Sequence, residues 1–383
     1  MRFLVAPDSF KGSLSALEVA RAMERGIRAV FPGAQVDMIP IADGGEGTVE
    51  SLVLATGGHL EHTVVGDPLA RPVRAAWGIL GDGRTAVVEM AAASGLPLLL
   101  PAERNPLVTS TCGTGQLIRA VLDRGLRRII VGIGGSATND GGTGMASALG
   151  VRFLDPAGAE LPAGGAALAR LERIDLDGLD PRLAETELVV ACDVDNPLCG
   201  ARGATAVYGP QKGATADMLE ILDTALEHFA RVATAATGRE VAQEPGAGAA
   251  GGLGAGLRLF TPARFQPGIE LVLEACGFRE RLEGADLVLT GEGRTDAQTV
   301  MGKAPVGVAR LARKAGVPVV CLSGSLGPGC DALLDEGVSA TLSIVPGPMD
   351  LAACMAQAGS LVEQAAARLC RTLRVGCACI QAE

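Results

Sequence analysis

The chain begins and ends with the same short rhythm, and a different pattern separates the two copies. Residues 2–6 read as a strand, followed by the polar loop 7–13. Residues 14–30 then place apolar side chains at 14, 17, 19, 20, 23, 27 and 30, the spacing of an amphipathic helix that Ser13 or Ser15 can cap. A second strand over 35–41 runs into Asp43-Gly-Gly-Glu-Gly-Thr48 and a helix reaching Ala55. From residue 285 the rhythm returns. A strand over 286–289 precedes the loop 290–296, a helix starts near Pro305 and ends at Lys314, and strands follow at 317–322 and 341–345. A terminal helix over 351–373 closes the pattern. Two leading and three trailing strands, each with a helix, predict one doubly wound parallel α/β domain built from both ends of the chain, 1–59 and 284–383.

The middle obeys other rules. Segments 59–66, 72–80 and 85–90 read as strands, with Gly81-Asp82-Gly83 as the turn between the last two, which is an antiparallel meander. A helix follows Thr114, a strand over 188–192 runs into Asp193-Val194-Asp195-Asn196-Pro197, and 216–237 is one long helix. Residues 244–256, EPGAGAAGGLGAG, read as a flexible linker or as a close-packed loop beside a ligand, the second being preferred. The span 60–283 is therefore expected to be a second, mixed α/β domain inserted into the first. A chain of 383 residues has room for both.

Between the strands lies IIVGIGGSATNDGGTG, residues 129–144. A β-branched run leads into closely spaced glycines, with a helix expected over 145–149. Glycines let backbone amides converge on one point, and such a nest near a helix N-terminus suits phosphate. The same composition can simply join a strand to a helix. Gly132, Gly134 and Ala137 also fit G-x-G-x-x-A, and Asp155 closes the next apolar run about twenty residues on, the spacing of a dinucleotide-binding turn. Against that reading, Asn139-Asp140-Gly141-Gly142 delays the helix such a turn requires. No Walker A pattern is present.

Composition narrows the partners. A formal charge of −10 and only 3% aromatic residues argue against nucleic acid and anionic membranes. The ten cysteines are scattered without a C-x-x-C pair, and only three histidines accompany them, so structural zinc is not expected. Free thiols, no signal-peptide core and no long apolar run place the expected protein in the cytoplasm, without membrane or nucleic-acid partners. A homodimer is compatible with this reading.

If the sheet forms as expected, the loops after its strands share one edge, and they carry Asp8/Ser9/Lys11, Asp43/Glu46/Thr48, Glu292/Arg294/Asp296 and Ser323/Ser325. The inserted domain would face that edge with its glycine nest and Asp193/Asn196, making a cleft between domains. The inventory suits phosphoryl transfer, which needs cations on the migrating group, a metal on the phosphates and a carboxylate near the attacking hydroxyl. Lys11, Lys212, Arg294 and Lys303 supply cations; Asp8, Asp43, Asp193, Asp195 and Asp296 supply hard oxygen ligands for Mg²⁺. His59, His62 and His228 are read as surface or structural, and no G-x-S-x-G elbow exists for a hydrolase.

Seven strings in order, APDSFKGSLSA (6–16), PIADGGEGT (40–48), GIGGSATNDGGTG (132–144), CDVDNPLCGARGA (192–204), GPQKGA (209–214), GAAGGLGAGL (248–257) and TGEGRTDAQTVMGKAPVGVA (290–309), resemble bacterial glycerate kinases of type 1 rather than the larger animal type. The resemblance covers nearly the whole chain; the tail after about Leu373 matches nothing in it. It implies a discontinuous flavodoxin-like domain with an insertion, and ATP-dependent phosphorylation of D-glycerate, usually to 2-phosphoglycerate, in glyoxylate or sugar-diacid breakdown.

Residue roles are assigned on chemistry rather than on the resemblance. ATP phosphates are expected on Gly134, Gly135, Ser136 and Thr138, with Lys303 or Lys212 as counter-charge. Asp193 and Asp296 are expected to hold Mg²⁺, or one of them to act as base toward the glycerate hydroxyl. Arg294 would pair with the glycerate carboxylate, a match of planar fork to carboxylate. Lys11 and Ser9 would touch substrate or the transferred phosphoryl group, and Asp8 and Asp43 complete the substrate set. The competing readings are an NAD(P)-dependent oxidoreductase using residues 132–137 with Asp155, and a non-catalytic glycerate or nucleotide sensor.

Overall fold

The computed structural model describes residues 1–380 apart from Asp43, Glu46 and Gly302. Its strands, in chain order, are β1 (Arg2–Val5), β2 (Gln35–Met38), β3 (His59–Gly66), β4 (Pro72–Ile79), β5 (Thr85–Glu89), β6 (Arg128–Gly132), β7 (Arg152–Leu154), β8 (Arg173–Asp175), β9 (Glu187–Ala191), β10 (Arg264–Gln266), β11 (Leu287–Thr295), β12 (Val319–Leu326) and β13 (Ala340–Ser343). The chain divides into two compact units, one comprising Met1–Asp43, Glu50–Thr56 and Ile269–Glu383, the other Gly44–Val49 and Gly57–Gly268.

The first unit holds a five-stranded sheet in the order β13-β12-β11-β1-β2, parallel throughout. Counted within the unit this is the 2-1-3-4-5 order of flavodoxin-like folds, whose chain direction reverses between β1 and β11. Phe3, Val5, Leu287, Leu289, Val320 and Leu322 share one core with Val19, Met23 and Ile27 of the helix Ala16–Arg28 and with Leu361, Val362 and Ala366 of the terminal helix Ala358–Ile380. Strand residues of the other parity, such as Leu4 and Val288, point away from this core, as the pleat requires. Gly26 lies where any Cβ would strike the backbone at Glu363, so only glycine lets these two helices come so close. Ser15 caps the first helix in a capping box with Glu18. The terminal segment is two helices, Leu351–Ala356 and Ala358–Ile380, rather than the single helix expected.

Residues 269–283 belong to this unit. Ile269 packs against Gly307 of the helix Ala304–Lys314, and Arg281 reaches both the Asp37 carboxylate at 3.0 Å and the Ala55 carbonyl at 2.6 Å. Apolar spacing alone carries no trace of that polar anchoring.

The second unit holds a mixed sheet, β10-β9-β6-β5-β4-β3. The meander β3-β4-β5 is antiparallel, with its turn at residues 81–83, and β5, β6, β9 and β10 run parallel. Val88, Ile129, Val131, Leu188 and Val190 form its centre with Leu117, Leu122 and Leu253. A second cluster gathers Phe153, Phe229 and Phe260 beside the hairpin β7-β8. The short strands β7, β8 and β10 carry too few residues to show a period in sequence. Of residues 244–256, expected as loop or linker, those from 249 on enter a buried helical segment, Ala249–Phe260, kinked where Ala250, Gly251 and Gly252 take left-handed conformation.

Candidate active site

In the first unit the loop after β1 and the end of β11 flank the point where strand order reverses, the place where ligands bind in open parallel sheets. Sequence reading ends β11 at Leu289 and makes 290–296 a loop. The strand instead continues to Thr295, pairing with β12 as far as Leu326. The alternation of a strand therefore sorts these side chains. Glu292 and Thr295 are buried, whereas Arg294 is exposed.

Glu292, assigned no role from sequence, is the organising carboxylate. It accepts hydrogen bonds from the hydroxyls of Thr295 at 3.0 Å and Thr299 at 2.7 Å, and its other oxygen lies 3.7 Å from the Lys303 ammonium. Burial raises its pKa above the ordinary carboxylate range, although the two hydroxyls and Lys303 oppose that shift. Thr299 in turn accepts from the Asp296 amide at 3.2 Å, while Thr295 pairs with Ser323 at 2.7 Å. The next turn is thus tied to the strand end. On it Asp296 accepts from the Gln298 amide at 2.9 Å and pairs with Arg294 at 3.0 Å. The Arg294 side chain is 67% exposed and the Asp296 side chain 17%, so the guanidinium faces outward from a fixed carboxylate.

The loop after β1 lies beside this group. The Asp8 amide donates to the Gly291 carbonyl at 2.8 Å, and the buried Asp8 carboxylate accepts from the Ser9 amide at 2.6 Å. Gly293 lies against Phe10 and the Lys11 amide, and the Lys11 side chain is exposed. Asp8, Ser9, Lys11, Arg294, Asp296 and Lys303 therefore gather at one sheet edge of the first unit. Asp43, also expected there, lies outside the described residues.

The second unit supplies the glycine nest. Residues 133–142 follow β6, with Gly135, Gly141 and Gly142 at positive φ, before the helix Thr143–Ala148. Gly134 and Gly135 are exposed; Ser136 and Thr138 are buried. The Ser136 hydroxyl lies 3.1 Å from that of Thr138 and 3.2 Å from the Ala250 carbonyl, and it accepts from the Thr138 amide at 3.2 Å. Lys212, on the single helical turn Pro210–Lys212, is 1% exposed and donates to the Thr138 carbonyl at 2.6 Å and the Ser136 hydroxyl at 3.3 Å. Burial pushes its ammonium down to about 7, against the pull of Asp140. Asp140, buried, accepts from the amides of Thr111, Gly142 and Gly144 and from the Thr111 hydroxyl, at 2.8–3.2 Å. Burial raises its pKa and those donors oppose the rise. Of the two lysines expected as counter-charges, Lys212 shares the nest's unit, and Lys303 stands beside Glu292 in the other.

β9 is the parallel neighbour of β6, so the segment after it shares the nest's edge. Asp193 is exposed there and accepts from the Gly268 amide at 2.9 Å; Asp195 pairs with Arg202, and the Asn196 side-chain oxygen Oδ1 accepts from the Tyr208 hydroxyl at 2.7 Å. Gly132 and Gly134 leave room for Gly44 and Gly45, which pass over the ends of these strands.

The dinucleotide reading does not survive. No helix follows β6 directly, and Asp155 comes just after β7, which pairs antiparallel with β8 in a separate hairpin instead of joining β6. Its carboxylate caps its own turn through the amides of Ala157 and Ala159. His228 binds the Leu171 carbonyl and the Arg231 side chain, a structural role.

Two α/β units, one with a flavodoxin-order sheet bearing cations and carboxylates at its switch point and one with a strand-end glycine nest, define an α/β phosphotransferase. The sequence model of the Glycerate kinase family matches residues 3–374, and the chain belongs to that family. It is 54% identical over 375 residues to glycerate kinase of Bacillus subtilis (strain 168), covering 98% of each chain, and 47% identical over 376 residues to glycerate 2-kinase of Escherichia coli (strain K12), covering 98% of this chain and 99% of that one. A crystal structure assigned as glycerate kinase 2 of Salmonella typhimurium LT2 superposes with a TM-score of 0.88 at 47% identity, covering 98% of this chain and 99% of the other. Membership makes ATP the co-substrate. No helix among the described residues is long and apolar enough to cross a membrane.

Proposed function

We propose that this enzyme transfers the γ-phosphoryl group of ATP to the 2-hydroxyl of D-glycerate in the cytoplasm, within glyoxylate or sugar-diacid breakdown. The observation that carries the reading is the exposed Arg294 guanidinium held by Asp296 at the switch point, in a chain whose relatives are named glycerate kinases. The Escherichia coli relative's name supports the 2-position.

In this reading Arg294 receives the glycerate carboxylate in a bidentate fork. Ser9 and Lys11 orient the substrate and the migrating phosphoryl group, and Asp8 and Asp43 complete the substrate pocket. The amides of Gly134 and Gly135 cradle the nucleotide phosphates, on a loop shaped by Ser136 and Thr138. Lys303, steadied by Glu292, adds positive charge at the transfer end. Asp193 or Asp296 accepts the proton leaving the hydroxyl.

Among the described residues no group of three or more His, Cys, Asp or Glu could hold a metal ion. Mg²⁺ brought in on the nucleotide needs only one or two carboxylates beside phosphate and water, and Asp193 or Asp296 would provide one. When bound, Mg²⁺ neutralises charge on the phosphate oxygens.

The test is ADP release from Mg-ATP on addition of D-glycerate, with the product resolved as 2- or 3-phosphoglycerate. No glycerate-dependent ADP refutes the activity, and 3-phosphoglycerate refutes the position.

A further inference from the structure

A buried ammonium is costly unless it is paired, because removal from water penalises its charge by several kcal/mol. Lys212 carries such a charge at 1% exposure, and its two acceptors, the Thr138 carbonyl and the Ser136 hydroxyl, are neutral oxygens. The carboxylate that acts on it, Asp140, is itself buried and already receives three amides and a hydroxyl. Among the described residues, the other ionisable groups around this site do not neutralise Lys212. Arg104, whose backbone abuts Gly213, is a second cation, and Cys112 beside Asp140 has its thiol pushed up by burial and by that carboxylate. The lysine is therefore under-compensated, and both groups it holds belong to the loop whose exposed face is Gly134 and Gly135.

We propose that Lys212 is the buried positioning residue of the glycine nest, and that its proton and a phosphate anion on the nest's exposed face stabilise one another. The proposal rests on the reading that nucleotide phosphates bind there. The ammonium fixes the nest from beneath through Thr138 and Ser136, and it adds positive potential without touching the ligand. Linkage makes the effect reciprocal: an anion on the nest raises the affinity of Lys212 for its proton, so nucleotide binding above neutral pH draws a proton from solvent. The lowered pKa, about 7, places the group where this uptake is measurable.

The experiment is calorimetric titration of the full chain with Mg-ATP, without glycerate, at about pH 8 in buffers of different ionisation heat. The dependence of the observed heat on the buffer gives the proton count. Wild-type protein should take up on the order of half a proton per nucleotide. Lys212→Met, similar in length and uncharged, should take up none and bind roughly tenfold more weakly. A lysine that only braces the loop gives a wild-type count of zero, which overturns the proposal and leaves the kinase reading intact. That result needs no variant, so poor folding of Lys212→Met cannot obscure it. Undiminished uptake in Lys212→Met also overturns the proposal, and absence of nucleotide binding overturns both it and the assignment of the nest.

Discussion

The two units place their charges in opposite ways. At the sheet edge of the first unit the cations Lys11 and Arg294 are carried outward on exposed side chains, and a buried carboxylate, Glu292, ties the turn that carries Asp296. In the nest of the second unit the outer face is backbone at Gly134 and Gly135, and the charges, Lys212 and Asp140, lie inside. Side chains on a firm strand end can be exchanged without disturbing what supports them. A nest of amides is shaped by whatever packs beneath it, so its recognition and its stability are one property. Substitutions of Arg294 and Asp296 at the first edge should therefore alter kinetics alone, and substitutions under the nest should alter kinetics and folding together.

The sharpest challenge to that contrast is Asp296→Asn. Its neighbours are a backbone amide and an exposed arginine, and asparagine keeps the shape. If Asp296 serves as base or metal ligand, kcat should fall by about 10²–10⁴-fold, while Tm stays within ~2 °C of wild type. Wild-type turnover removes Asp296 from the mechanism; a large drop in Tm removes the contrast.

Gly251→Ala probes the other side. Gly251 has φ +70°, and a Cβ there would strike the Thr138 carbonyl, the same oxygen that receives the Lys212 ammonium. A strained backbone together with displaced packing should cost about 2–4 kcal/mol in urea unfolding, and the KM for ATP should rise in parallel. Unchanged stability shows that the nest can relax independently of its floor.

Arg294→Ala should be gentler. Loss of one charge-assisted pair with substrate, worth about 1.5–3 kcal/mol, predicts a KM for glycerate roughly 10–100-fold higher, with kcat and Tm little changed. An unchanged KM moves the carboxylate site elsewhere.

The same contrast explains what could be read in advance. The five parallel strands were legible because their hydrophobic runs and helices repeat at both ends of the chain, and the meander because it alternates around Gly81-Asp82-Gly83. Exposed Lys11 and Arg294, and Asp296 beside them, were legible as candidates because charges beside glycines in strand-end segments stand out. Glu292 gained no role because TGEGRTD looks like a loop; only its strand register shows that the carboxylate turns inward. The helix Ala249–Phe260 was hidden for a related reason. Its glycines are set by close approach to Thr138, Gly141 and Gly142, residues more than a hundred positions away, and helical propensity argues against them. Residues 269–283 joined the first unit through Arg281, whose partners Asp37 and Ala55 are equally remote in sequence.

The smallest expected effect bears on that inward carboxylate. Burial raises the pKa of Glu292, so the folded state holds its proton more tightly than the unfolded chain does. The associated stability is fully present below the ordinary carboxylate range and is lost as pH rises through the raised pKa. Above it, folding must bury an ionised group whose compensation by Lys303 is only partial, at 3.7 Å with the lysine 38% exposed. Glu292→Gln keeps an acceptor for Thr295 and Thr299 but cannot ionise. Its stability relative to wild type, by urea unfolding, should therefore improve by about 1 kcal/mol between pH 5 and pH 8, even as kcat falls from loosened placement of Lys303 and Asp296. Parallel stability curves at the two pH values would mean that Glu292 is better compensated than its geometry indicates.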